Sequence, residues 1–308
     1  MNFLCKRKWW ILGVFIFLYP FYCPLIYQLT GFSLGELYTF DMPRNEFMII
    51  WIVLGGIIGV VSNVRLSKKF MRHQVKELCV NCFSSGVDLL GNPNEYTRIS
   101  GAYNLYFLAG EHKKEYLESV CEVLCTHIQT ITNKLEYKIK YSDEPSMEIQ
   151  TILNLLFKED KDELIFDKCK KNLSRVSLNG ADFRKAILNN VNFINTILND
   201  VQFNDATLSN VDFMSATLSN VDLWDAKLSN INFRNATLGN IHFNSAQLCR
   251  IVFRDATLCD VDFRDATFSD VNFWYAKLED KVIFTGTSLE NIPPEEITLA
   301  GKLHFNQK

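Results

Sequence analysis

The 308-residue sequence has almost no excess of either charge: 32 Lys and Arg stand against 35 Asp and Glu, a net of −3. That balance argues against a protein whose main work is gripping nucleic acid over a broad basic face, and no nucleic acid partner is expected. Histidine is scarce, five in all, and His242 is the only one between residue 171 and His304 in the tail. No nucleophile–base–acid set, phosphate-cradling glycine loop, zinc-protease motif or dinucleotide fingerprint is present. No enzyme is expected, and no catalytic residue, cofactor or metal ligand is assigned. Nine cysteines, an odd number scattered over the whole length, imply no disulfide framework and point to a reducing compartment. Apolar residues at 48% and charged residues at 22% exclude a disordered chain. What the sequence has in excess is phenylalanine, 24 residues, and asparagine.

Two stretches carry no charge at all. The first lies between Lys8 and Glu36, with Trp9 to Tyr27 almost wholly apolar, and the second is Phe47 to Val64. Each is long enough for a spanning helix of about 20 residues. Trp9, Trp10, Tyr22, Tyr27 and Trp51 suit interfacial positions, and Pro20 and Pro24 predict a kink in the first span. A cleaved signal peptide is disfavoured, because Pro20, Tyr22 and Cys23 stand where small residues would be needed. Lys6, Arg7 and Lys8 precede the first span, and Arg65, Lys68, Lys69, Arg72 and Lys76 follow the second. The connecting loop has only Arg44 against Glu36, Asp41 and Glu46, so a two-helix hairpin with both termini in the cytoplasm is expected. Gly55 and Gly59 form a small-xxx-small pair that would let the two helices pack closely.

A helical connector follows. Helix is expected from Arg65 to about Ser84, unbroken from the second span, before the loop Gly91-Asn92-Pro93-Asn94. Ile99, Ala102, Tyr103, Tyr106 and Ala109 recur at helical spacing, as do Tyr116, Val120, Val123, Leu124 and Ile128. A further helix is expected over Ser146–Phe157, with Pro145 suited to its first turn. Cys79 and Cys82, with Cys121 and Cys125, invite a metal or redox reading. At helical spacing, however, each pair simply shares a face and packs as small hydrophobes.

The C-terminal 120 residues have a period of five. From Leu173 to Leu278 every fifth residue is Leu or Phe, 22 in succession. Two residues before each centre is a second inward position, alternating from Val191 onward between Val or Ile and Ala, with Thr at 196. The remaining positions are mostly Asn, Asp, Ser and Thr. Five fits neither the helical period of 3.6 nor the strand period of 2. It fits short extended segments joined by tight turns, wound into a coil whose layers stack Phe on Phe and Leu on Leu.

Ala181-Asp182-Phe183-Arg184-Lys185 has the form A-(D/N)-(L/F)-x-x, and residues 171 to 290 closely resemble the pentapeptide-repeat family. The resemblance implies a right-handed, four-sided parallel β-helix with four pentapeptides per coil. Val, Ile or Thr replaces Ala at about half the small positions, which implies a differently shaped interior on two opposite faces. At about 4.8 Å per layer, five and a half coils give a length of roughly 26 Å. After Leu278 the phase slips by one residue, to Val282/Phe284 and Thr287/Leu289, before Pro293 and Pro294 end the repeat. The segment Arg98 to Leu105 is similar to the helical module upstream of the repeat in bacterial membrane-attached members. The expected organisation is a transmembrane hairpin (1–76), a helical connector and cap (77–165), the β-helix (166–292) and a tail (293–308). That resemblance places the chain in a bacterial inner (cytoplasmic) membrane.

Four pentapeptides per coil sort the outward residues by face. One face projects Ile194, Met214, Arg234, Arg254 and Trp274, with Tyr275 at the adjoining corner; the opposite face projects Arg184, Trp224 and Arg264. Exposed Trp, Tyr, Met and Arg are the residues in which interaction surfaces are enriched. The leading expectation is a non-enzymatic, membrane-anchored scaffold binding a protein partner, or a second copy of itself, in the cytoplasm. An alternative implied by the family is inhibition or protection of DNA gyrase by an acidic, DNA-sized rod. Residues 171–290 carry 14 Asp and Glu against 11 Lys and Arg, which is weak support for that mimicry. The remaining alternative is a sensor built on the four middle cysteines.

Overall fold

The computed structural model describes residues 44–158 and 164–290. The chain divides into two compact units, residues 1–75 and 76–308. The expected span Trp9–Tyr27, the loop after it as far as residue 43 and the tail from residue 293 lie outside the described residues, while Arg44 and Glu46 of that loop belong to a helix.

Helix α1 (Arg44–Leu90) runs for 47 residues without a break, so Phe47–Val64 and the helix expected from Arg65 are one element. Ile57, Ile58, Val60, Val61 and Val64 are all exposed on it. Among the described residues no helix is long and apolar enough to cross a membrane, and no transmembrane hairpin is found.

In the second unit, α2 (Glu95–Glu111) starts where the Asn94 side chain accepts a hydrogen bond from Thr97 N at 3.2 Å. It is followed by α3 (Lys113–Thr132), α4 (Leu135–Lys140) and α5 (Met147–Phe157). Ser146 is the N-cap of α5, accepting from Ile149 N at 3.3 Å. Pro145 therefore lies before the cap and not in the first turn, which begins at Met147. The six-residue α4 has too few turns to show a period and is not visible in the sequence. Ala102, Leu105 and Ala109 of α2 join Val120, Leu124 and Ile128 of α3 and Ile149, Ile152 and Leu156 of α5 in one core, each with 0% exposure. Gly86 and Gly101 let α1 and α2 meet at backbone distance: a Cβ on Gly101 would stand 2.8 Å from Gly86 O.

Residues 171–290 form a parallel β-solenoid of about five turns. Its strands divide between a seven-stranded and a five-stranded sheet, sequential strands alternating between them along most of the chain. Within each sheet the register is twenty residues, four pentapeptides: Leu188 pairs with Leu208, Leu208 with Leu228, Leu228 with Leu248 and Leu248 with Phe268. The residue two places after every Leu or Phe centre has φ between 52° and 66°, from Arg175 to Asp280. That left-handed backbone is what Asn, Asp and Gly tolerate best, and it accounts for the asparagine excess. Asn side chains on adjacent layers continue the pairing, with Asn230 Nδ2 donating to Asn210 Oδ1 at 2.7 Å and Asn240 Nδ2 to Asn220 Oδ1 at 2.9 Å.

The phenylalanines fill the interior as stacked columns. Phe193, Phe213, Phe233, Phe253 and Phe273 lie 5.0–5.2 Å apart with rings within 14° of parallel. Phe183–Phe203 and Phe243–Phe263 stack in the same way across from them. Burying each ring is worth about 1.5–3 kcal/mol. The Val, Ile and Ala positions are buried alongside, and Thr196 fits because its hydroxyl donates to Leu173 O at 3.0 Å. The one-residue slip is real: Thr267 pairs with Ser288 and Phe268 with Leu289, a register of twenty-one.

The helices close the N-terminal edge of the solenoid and share its core. Phe157 of α5 packs on Phe183 at 5.8 Å, adding one ring beyond the first layer. Gln150 takes the place of a missing strand, accepting from Asp182 N at 3.0 Å and donating to Asp182 O at 2.9 Å. Lys171, 1% exposed, points its ammonium at the carbonyls of Asp167, Cys169 and Asn189 at 2.9–3.2 Å. An open β-edge is thus covered, as a stable solenoid requires.

Candidate functional site: the outward column of the solenoid

The twenty-residue register brings Ile194, Met214, Arg234, Arg254 and Trp274 into a single column. The link is a backbone ladder in which the N–H one residue after a column position donates to the next column carbonyl. Asn195 N donates to Met214 O at 3.1 Å, Ser215 N to Arg234 O at 3.0 Å, Asn235 N to Arg254 O at 3.1 Å and Asp255 N to Trp274 O at 2.9 Å. Four of the five positions are set locally by an Asx turn, and Arg254, with Val252 two residues before it, is the exception. Asn192, Asp212, Asn232 and Asn272 accept from the N–H of Ile194, Met214, Arg234 and Trp274 at 2.9–3.1 Å. Trp224 lies in a different column, with Arg184 and Arg264, joined by Asp205 N to Trp224 O at 3.0 Å and Ser245 N to Arg264 O at 2.9 Å.

Ile194, Met214 and Arg254 are half-buried, whereas Trp274 and Tyr275 are 50% and 65% exposed. Their rings meet edge to face at 5.9 Å. Tyr275 has φ 57°, a left-handed backbone at a site occupied in neighbouring coils by Asn, Ser and Asp. Asp255 lies between the two guanidinium groups, 3.4 Å from Arg254 Nε and 3.7 Å from Arg234 Nε. Arg254 Nε is itself buried and makes no hydrogen bond. A depression of about 500 Å³ beside them is lined by Asp255, Tyr275, Ala276 and Lys277. The column can offer flat aromatic surface and two guanidinium groups to a ligand.

The four middle cysteines are not brought together. Cys79 is buried and Cys82 exposed on α1, while Cys121 and Cys125 are buried on α3. Cys121 instead neighbours Cys169, at the start of the solenoid. Hydrogen bonding with Cys125, with burial adding to it, pushes its thiol up to about 12. The sequence reading missed a buried polar group: Glu148, 0% exposed, is held bidentately by Arg98 at 2.7 and 2.8 Å and by His127 Nε2 at 2.5 Å. Burial pushes its carboxyl up, but the hydrogen bonds from His127 and Arg98 outweigh this and hold it below the usual carboxylate range. The one signal in the sequence is that Glu148 is the lone charge of the otherwise uncharged α5. Among the described residues, one set of three groups lies within metal-ligating reach: Cys259, Asp260 and Asp280. The Cys259 thiol donates to Asp280 at 2.9 Å, and that hydrogen bond pushes its pKa up to about 11.

Residues 165–243 match the family model of the pentapeptide repeat region, and residues 246–280 match that of pentapeptide repeats in eight copies. No curated protein matches the chain. Among solved structures it is similar to HetL, a pentapeptide repeat protein involved in heterocyst differentiation regulation from the cyanobacterium Nostoc sp. strain PCC 7120. The identity is 20%, over 39% of this chain and 64% of that one, with a TM-score of 0.27. It is also similar to QnrB1, a plasmid-mediated fluoroquinolone resistance protein, at 16% identity over 43% of this chain and 74% of that one, TM-score 0.19. A pentapeptide repeat protein of the Arabidopsis thaliana thylakoid lumen matches at 16% identity over 42% and 73%, TM-score 0.20. The match thus spans less than two thirds of HetL. The five-residue period, the twenty-residue register and the family models agree: residues 165–243 and 246–280 of this chain are pentapeptide repeats.

Proposed function

We propose that this protein is a non-enzymatic scaffold, anchored in a membrane by the apolar segments Trp9–Tyr27 and Phe47–Val64. Its solenoid, right-handed and four-sided, then presents the column Ile194–Trp274 to a protein partner in the bacterial cytoplasm. The observation that carries this is the pair Trp274 and Tyr275, half or more exposed, with Tyr275 held in a backbone conformation that a bulky residue occupies only at a cost of about 1–2 kcal/mol. A fold that uses Asn or Asp at this site elsewhere has no structural need of tyrosine there, and strain of this kind gathers at functional positions. Exposed aromatic residues beside arginines are the usual anchors of a protein interface. The exposed apolar residues of α1 support the membrane anchor.

Site-specific photo-crosslinking in intact cells tests the face, with the probe at Trp274 and, as control, at the exposed Thr237 of a Thr ladder. A defined adduct from position 274 alone is expected, and its identity names the partner. Equal, diffuse labelling from both positions would overturn the assignment of this face.

A further inference from the structure

The first unit carries a charge feature that the scaffold reading leaves unused. Immediately after the apolar segment ending at Val64, α1 bears Arg65, Lys68, Lys69 and Arg72, all exposed. At about 100° per residue these four fall within an arc of about 100°, one stripe on one side of the helix. The other side presents Leu66, Ser67, Phe70 and Gln74, none charged. No acidic residue occurs from Phe47 to Lys76, and none of the four makes an ion pair with a described residue. The stripe is therefore four uncompensated positive charges in eight residues.

We propose that Arg65, Lys68, Lys69 and Arg72 form a docking stripe for the anionic headgroups of a phospholipid surface. The inference rests on the membrane reading given above. At 1.5 Å per residue all four lie within about 12 Å of Val64, close to the Debye length of about 8–10 Å. Helical side chains lean toward the N-terminus of their helix, here toward the apolar segment, so the long basic chains reach back to the level at which a headgroup layer would meet it. Opposite charge and continuity with the apolar run thus favour a lipid surface. A nucleic acid duplex would match the charge but not the adjoining apolar segment, and the chain as a whole is net negative.

The test uses the full-length chain and its R65Q/K68Q/K69Q/R72Q variant, whose helix content is compared by far-ultraviolet circular dichroism. Flotation with vesicles of phosphatidylcholine alone, after an alkaline carbonate wash, reports the membrane span independently of the stripe. The stripe is read in mixed vesicles, as the preference of the inserted protein for spin-labelled phosphatidylglycerol over spin-labelled phosphatidylcholine. The expected result is a preference of at least about fivefold, the worth of one basic residue near an anionic surface, falling to unity in the variant. Flotation on neutral vesicles with no headgroup preference would overturn the stripe and leave the membrane anchor standing. Flotation only with phosphatidylglycerol present, lost in the variant, would support the stripe and overturn the span. Retardation of a duplex DNA probe with no lipid preference would reassign the stripe to nucleic acid and overturn the proposal.

Discussion

At the residue scale, the position two after each Leu or Phe centre decides which amino acids the solenoid admits. A left-handed backbone costs an ordinary L-residue about 1–2 kcal/mol, and Asn and Asp less because their short side chains bond locally. Most of these sites hold Asn, Asp, Ser or Gly, but Arg175, Lys185, Arg250 and Tyr275 do not. Tyr275→Asn is expected to raise stability by about 1 kcal/mol in chemical denaturation while reducing adduct formation from a probe at Trp274. Stabilisation together with undiminished capture would remove tyrosine from the recognition face. The excess of Asn at these sites announces turns in the sequence itself. The value of φ behind it does not, because Arg175, Lys185, Arg250 and Tyr275 share that backbone and break the residue-type signal. The inward Thr196 was equally opaque: only the carbonyl of Leu173, 23 residues away, explains a hydroxyl in the core.

At the scale of the element, the helical cap depends on one buried carboxylate. Glu148 on α5 ties together Arg98 of α2 and His127 of α3. Breaking a buried, hydrogen-bonded charge pair costs about 3–5 kcal/mol, so Glu148→Gln is expected to destabilise the second unit by about 3 kcal/mol. Because the folded carboxyl sits below the ordinary Glu value of about 4.3, its contribution is complete above that pH and disappears as pH falls through the folded value. Asp182, held down to about 2 mainly by the hydrogen bond from Arg184, prolongs the same acid limb. Thermal melts from pH 7 down to pH 2 should show stability falling below about pH 4, with a shallower fall in Glu148→Gln. Helices α2, α3 and α5 were legible from apolar periodicity alone. The Arg98–Glu148–His127 group was not, since its members are 50 and 21 residues apart and periodicity records which face a residue is on, not which partner it meets. Gln150 was hidden for the same reason, its role as a substitute strand existing only once α5 lies on the first coil.

At the scale of the second unit, the stacking of Phe on Phe and the twenty-residue register make contacts almost wholly between adjacent coils, so stability is close to a sum of nearest-neighbour terms. The helical cap holds the N-terminal edge through Phe157, Gln150 and Lys171. Native-state amide exchange is therefore expected to be slowest in the coils beside the cap and to quicken toward Lys277–Glu290; uniform protection across all coils would mean that the unit opens only as a whole. The architecture was the most legible part of the chain, because 22 in-phase Leu and Phe residues leave few other ways to bury that much apolar surface. The column of Ile194, Met214, Arg234, Arg254 and Trp274 followed once four pentapeptides made a coil. The slip after Asp280 has a consequence for how such a chain can grow. Duplicating any twenty residues before it adds one whole coil and leaves every inward side chain inward. A twenty-residue duplication that includes the extra residue shifts the phase of all that follows, whereas one of twenty-one, the register found there, keeps it. The solenoid can thus lengthen in quanta of twenty residues upstream of that single residue and of twenty-one across it, so one residue changes the unit of growth.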